Sequence, residues 1–412
     1  MALVGAVLVS LLLAAGGSTQ RLAYFIPASR LAFPEWLRGP LSELELSLTP
    51  AVAATLLVVL CGCYAVALTR AREIGLRSAV LAIVAAHAAF TLAAPLYSAD
   101  VFSYLDYARL GVLHGMSPYL HGAVAAPHDA VMPYVRWRDV ATPYGPLFTI
   151  ATYPLAWLGV PAAFWTLKLL AGAASLGCIA LVARIARQVR RPVVPAVLFV
   201  GLNPIVLAYG VGGGHNDFFA VLLMLGGVSL ALDRRDDGAS AGFVLAAAVK
   251  APAGLALAFL LIARRSRRGI AIAVLTALAV AGIGALAFGA SELTIVDQLA
   301  GQQKMVAILS VPNTLGALLG LGGITGGLRI LDAIALCGGM GLLAWRTWHG
   351  ADWLASTGWA TLLVLLTSAW LLPWYLVWLL PITALAGDER LRTATLMLTA
   401  FVVTTHVAHY IS

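Results

Sequence analysis

RRDDGASAGFVLAAAVKAPAGLALAFLLIARRSRR, residues 234–268, decides how this chain is built. Arginines stand at both ends, yet the apolar residues between them amount to little more than one bilayer crossing of about 20 residues. Basic clusters mark loops on the cytoplasmic side, so both ends belong on one face and a single crossing does not fit. The break VKAPAG, residues 249–254, offers the solution: its proline removes a backbone donor and its glycine loosens helical order. The stretch reads as two half-length helices that enter and leave by the same face, with Lys250 near the tip. Irregular backbone at that depth must line protein or water.

Working outward, the 412-residue chain is 61% hydrophobic and only 11% charged, with a mean hydropathy of +0.93. A soluble core cannot absorb so much apolar surface, and many runs reach spanning length. The chain reads as a polytopic all-α membrane protein of about eleven transmembrane or half-spanning helices, a single domain over 1–412. The opening run from Ala2 to Ala15 lacks a basic leader and reads as a first span, not a cleaved signal. The excess of 26 Lys+Arg over 18 Asp+Glu is no nucleic-acid signature, because the arginines sit in short clusters between apolar runs. Cys61, Cys63, Cys178 and Cys337 all fall inside apolar runs and suggest no disulfide framework.

Arg70, Arg72 and Arg77 place one loop in the cytoplasm, and Arg184, Arg187, Arg190 and Arg191 place another there. Residues 97–145 then lie outside. Loops of that length in compact architectures are functional or disordered, and the Tyr, Trp, Pro and charge content of this one favours order. Within it DVFSYLDYARLGVL reads as a helix: Val101, Leu105, Ala108 and Val112 form an apolar stripe beside a polar one of Asp100, Tyr104 and Tyr107. Such a helix would lie in the interface plane, its acid at headgroup depth. Asp100 is equally readable as a helix N-cap.

Further candidates follow along the chain. Arg136 and Arg138 carry the planar donor fork suited to phosphate, or else anchor a headgroup interface. They precede a turn, Pro143 to Pro146, that contains Tyr144. In YGVGGGHNDFF, residues 209–219, His215, Asn216 and Asp217 open a span, and polar groups at a membrane edge are costly without a purpose. Lys168 lies about 9 Å into its span and either snorkels outward or meets an anionic group in an outer cavity. His114, His121 and His128 read as solvated loop residues. No ligand spacing calls for a metal.

These residues carry a family resemblance. SADVFSYLDYARLGVLHGMSPY, TPYGPLF, GGGHNDFFAVLLMLGG, LAAAVKAPAG and LLPWYLVWLLP occur in an order that resembles actinobacterial polyprenyl-phosphate-mannose-dependent α-1,6-mannosyltransferases, membrane glycosyltransferases of the GT-C fold. The resemblance spans about residues 76–386. It implies a GT-C-type helical bundle, a polyprenyl-phosphate sugar donor and a glycan or glycolipid acceptor on the outer face of the cytoplasmic membrane. It also implies a catalytic aspartate at Asp100. A sugar phosphodiester leaves as a phosphomonoester, already a good leaving group, so no cofactor is expected. Around Asp100, the expected substrate-binding residues are Tyr104, Tyr107, Arg136, Arg138, Tyr144, Lys168, His215, Asn216, Asp217, Lys250, Trp374 and Tyr375. A lipid-linked sugar flippase or secondary transporter is the alternative, although transporters show paired repeats and a charged midplane site, whereas here polarity gathers in one outer loop.

Overall fold

The computed structural model describes residues 1–19 and 34–411, which contain helices and no strand. Five of the helices are long and apolar enough to cross a membrane, and the bent pair Val193–Gly201 and Ile205–Val211 makes a sixth if taken as one span. Six further apolar helices are shorter, among them Leu76–Thr91, Asp217–Leu232 and Trp353–Thr367. Length and apolarity therefore establish a helical membrane protein with five or six full spans plus shorter pieces. The figure of eleven remains a reading of the sequence.

The stretch 234–268 folds as two short helices, Asp236–Val249 and Leu255–Arg264, with Lys250 between them. The far ends of the two helices are held together, Arg264 Nε lying 3.5 Å from Asp236 Oδ1. At 1.5 Å per residue the first helix is about 21 Å deep, short of the roughly 30 Å hydrocarbon core. The tip is therefore sunk inside the protein, braced where Gly145 of the Pro143–Pro146 turn meets it. A Cβ at Gly145 would collide with the Ala248 carbonyl, so only glycine permits this approach.

The arginine clusters share one face. Arg184 reaches Asp233 and Arg268 reaches Asp237; Arg265 donates to the Trp348 carbonyl and Arg191 to that of Leu385. Arg72 lines one pocket with Arg191 and Asp388, so the loops near residues 70, 190, 233, 266, 349 and 388 lie together, and 97–145 lies at the other end of the helices. With His128→Cys and Arg267→Cys placed singly in a cysteine-free background, an impermeant thiol reagent is expected to label the two from opposite sides of the membrane; both side chains are exposed. Labelling from one side would overturn the topology.

The helix Asp100–Leu113 corrects one expectation. It does not lie on lipid with a single apolar face, because residues from Val101 to Ala108, and Leu110, are buried all round. The second half of the loop wraps the polar side and is tied down by Asp129, which accepts from Arg109 Nε at 2.8 Å, from the Val131 N–H at 2.9 Å and pairs with His114 Nε2 at 2.7 Å. Burial works against the Asp129 carboxylate, but these hydrogen bonds hold it below its ordinary range. His114 is exposed, as its loop position suggested, and is also a structural partner of Asp129.

Candidate active site

Four segments distant in sequence converge beneath the wrapped loop. The helix Asp100–Leu113 contributes Asp100 and Tyr104; the GGGHND turn contributes His215, Asn216 and Asp217; the sunken tip brings Lys250; and the break Pro373–Trp378 supplies Trp374, Tyr375 and Trp378.

Asp100 is the first residue of its helix, whose N-cap is Ala99 with no side-chain cap. The carboxylate is thus free of the capping role that spacing allowed. It points instead toward His215, with Oδ2 3.6 Å from Nδ1 and its side chain 14% exposed. Burial pushes its pKa up to about 6; the Lys250 ammonium opposes this, Asp217 adds to it, and hydrogen bonds with Trp137 and Ser98 oppose it. His215 is fully buried, stacks on Trp374 with ring centroids 3.8 Å apart, and neither ring nitrogen makes a hydrogen bond within the protein.

Asp217 also stands one position past its cap, Asn216. Its Oδ1 takes Lys250 Nζ at 2.7 Å and the Trp378 indole N–H at 2.6 Å, while Oδ2 is unpartnered. The Lys250 ammonium sits in an aromatic cage, 5.1 Å from the Tyr375 ring centroid, 5.5 Å from Trp378 and 5.8 Å from Tyr144. Tyr104 donates to Asn216 Oδ1 at 3.3 Å and meets Tyr144 edge to face at 5.0 Å. Unsatisfied buried polar atoms are rare in native structures. Here His215, Asn216 Nδ2 and Asp217 Oδ2 gather several in one place, as a site awaiting a polar ligand would.

Other candidates are placed elsewhere. Lys168 is fully buried, so it neither snorkels nor faces an open cavity. Its Nζ donates to the carbonyls of Phe90 at 2.9 Å, Val211 at 3.2 Å and Gly212 at 2.7 Å. It thereby fastens the glycine turn, where Gly214 adopts φ +68°, to the helices Val160–Gln188 and Leu76–Thr91. Tyr107 spends its hydroxyl on the Val140 carbonyl. Arg136 and Arg138 are exposed, and Arg138 bonds the carbonyls of Val135 and Pro133 in its own turn. Trp137, between them, is the residue that reaches Asp100.

Sequence reading passed over Trp137, Trp378 and Asp106. Trp378 lies one helical turn beyond Trp374, a spacing that was available. Asp106, about 9 Å along the helix from Asp100, is buried with Oδ2 unpartnered, and burial with the nearby Asp129 pushes its pKa up to about 7 against Arg109. Among the described residues no three His, Cys, Asp or Glu side chains are grouped to hold a metal ion.

The family profile described as alpha-(1->6)-mannopyranosyltransferase, N-terminal domain, matches residues 2–266. The chain belongs to this family. It is 33% identical over 341 residues to alpha-(1->6)-mannopyranosyltransferase A of Mycobacterium tuberculosis, covering 73% of this chain and 63% of that protein. It is likewise 33% identical over 177 residues to the Corynebacterium glutamicum protein of the same name, covering 40% of this chain and 35% of that one. The chain thus aligns with less than two thirds of the length of either relative. No solved structure matches it. Asp100, the GGGHND turn and Lys250 fall inside the family match, whereas Trp374, Tyr375 and Trp378 lie beyond it.

Proposed function

We propose that the chain is a membrane glycosyltransferase that moves a hexose, mannose by family likeness, from a polyprenyl-phosphate donor to a glycan or glycolipid acceptor. The reaction takes place on the outer face of the cytoplasmic membrane. The observation that supports this best is one carboxylate without a capping duty, Asp100, facing a caged ammonium and an unpartnered imidazole under an ordered loop.

In this reading the acceptor hydroxyl surrenders its proton to Asp100 as its oxygen attacks the anomeric carbon. The sugar–phosphate bond breaks with its electron pair moving onto the phosphate. That leaving group is already acidic, so it needs positive charge more than a proton, and in this reading Lys250 supplies it. His215 and Asn216 offer hydrogen bonds to the sugar or phosphate, and Trp374, Tyr375, Tyr104 and Tyr144 wall the sugar. A single displacement inverts the donor's anomeric configuration.

Membranes containing the chain, incubated with a panel of radiolabelled polyprenyl-phosphate sugars, are expected to transfer label from the mannosyl donor to lipid-linked or glycan product. Movement of intact labelled lipid across the bilayer without transfer would instead establish a flippase. A general base must be ionised, and the folded pKa of Asp100 is raised to about 6. Activity should therefore be full above that value and fall as pH drops through it. An acid limb of kcat/KM near pH 6 is expected; a limb near 4 would mean that Asp100 keeps an ordinary carboxylate pKa, and the absence of any acid limb would remove it as the titrating base.

A further inference from the structure

At the arginine-rich face, far from Asp100, two cavities join. One, of about 570 Å³, is a groove between the helix Pro50–Thr69 and the last helix, Glu389–Ile411, lined by apolar groups such as Leu68, Leu396, Ala400 and Val403. The other, of about 380 Å³, opens at the face and is lined by Arg72, Arg191 and Arg392 together with Asp388 and Glu389. Leu68, Thr69, Glu389 and Arg392 border both, so the apolar groove runs directly into the charged pocket.

We propose that this composite cavity binds one anionic glycerophospholipid of the leaflet on the arginine-rich side, headgroup among the arginines and one acyl chain in the groove. Two features of the cavity support this.

The first is charge. Asp388 is already used: it accepts from the Trp359 indole at 2.7 Å and from the N–H groups of Arg390 and Leu391 at 2.9 and 3.0 Å, capping the last helix. Glu389 projects into solvent, 81% exposed, at 3.7 Å from Arg392. Among the described residues Arg72 has no ion-pair partner, and the Arg191 guanidinium donates only through Nε, to the Leu385 carbonyl. Three guanidinium groups therefore face one solvated and one committed carboxylate. Planar, weakly hydrated guanidinium forks suit phosphate, and basic pockets between helices at the cytoplasmic surface suit anionic headgroups.

The second is shape. From Arg392 to Val403 the groove follows twelve residues of helix, a rise of about 16 Å, or one leaflet of a roughly 30 Å hydrocarbon core. A soluble anion would use the pocket and leave the groove empty. A second helix would need far more width. The groove also touches Pro204, at the 45° bend whose far limb leads to the glycine turn, so an occupant bears on the segment that carries His215. The proposal does not depend on the transfer reaction.

The test is binding to the purified full chain in dodecyl maltoside, read by native mass spectrometry and by thermal shift. The probes are phosphatidylglycerol, phosphatidylcholine and inorganic phosphate. Phosphatidylglycerol should be retained with a Kd at least tenfold below that of phosphatidylcholine, and phosphate alone should give no shift. An arginine at an anionic surface contributes about a fivefold factor in affinity, so Arg72→Gln should weaken binding several-fold and Arg72→Gln/Arg392→Gln by about 25-fold. Ala400→Phe, which fills the groove and leaves the arginines, should weaken it without abolishing the charge preference. Arg72 is exposed, so its variant reports even if the others misfold. Equal retention of both lipids, an unchanged Kd in Arg72→Gln, or protection by phosphate alone would overturn the proposal.

Discussion

Asp100→Asn is expected to lower transfer by about 10²- to 10⁴-fold, the range that general-base assistance supplies, while leaving the fold intact. The amide keeps the shape of the carboxylate and its capacity to hydrogen-bond Trp137 and Ser98, but cannot take the acceptor proton. Stability separates this from a structural role. A carboxylate whose pKa is raised from its ordinary value to about 6 is one that the fold holds in its charged form at a cost near neutral pH. Replacing it with a neutral amide should leave the thermal midpoint at pH 7 unchanged or higher. A capping residue would behave in the opposite way, losing about 1 kcal/mol on substitution, and Ala99 already occupies the cap position. Donor binding, measured with the non-transferring variant, should be preserved. A variant at equal expression that keeps more than about a tenth of the wild-type turnover would remove Asp100 from the role of base.

The parts of this architecture that were legible in the sequence are those where a local pattern conflicts with its surroundings. Arginines on both sides of too few apolar residues, with Pro252 between them, required a break in the run, and the structure has one between Val249 and Leu255. His215, Asn216 and Asp217 were conspicuous because nothing apolar explains three polar residues at the head of a span. Their convergence with Lys250 follows, because each lies where an apolar helix ends early. What pattern could not supply is the direction in which a side chain leaves an irregular segment. In the turn 134–139 the arginines were the obvious phosphate ligands, yet the backbone aims Trp137 inward and leaves Arg136 and Arg138 exposed. Lys168 was misread in both directions, since its three carbonyl partners come from residues 90, 211 and 212, and those groups are within its reach because two other helices end there. The helix Asp100–Leu113 showed an amphipathic pattern, but its polar side is covered by protein; polar residues facing a polar loop and polar residues facing water look alike in a sequence.

Lys250→Met should cost the site both stability and turnover, and a second substitution should separate the two effects. Asp217 is fully buried, and its close partners are the Lys250 ammonium and the Trp378 indole. Removing the ammonium leaves a carboxylate in a water-poor cavity with one hydrogen bond, and breaking a buried pair from one side costs of the order of 3–5 kcal/mol. The variant should show a clearly lowered thermal midpoint or poor accumulation, together with the loss of the cage contacts to Tyr375 and Trp378. Adding Asp217→Asn removes the stranded charge, and the amide can still accept from Trp378, so the double variant should recover most of the stability. Transfer should not return with it. If Lys250 provides the positive charge on which the departing phosphate depends, its absence costs about 10²- to 10³-fold in turnover, as for other groups that stabilise developing charge, whatever Asp217 has become. The decisive comparison is thus turnover in a double variant that is as stable as the wild type. Activity restored along with stability would mean that Lys250 serves only to neutralise Asp217, and the phosphate would have to find its positive charge elsewhere.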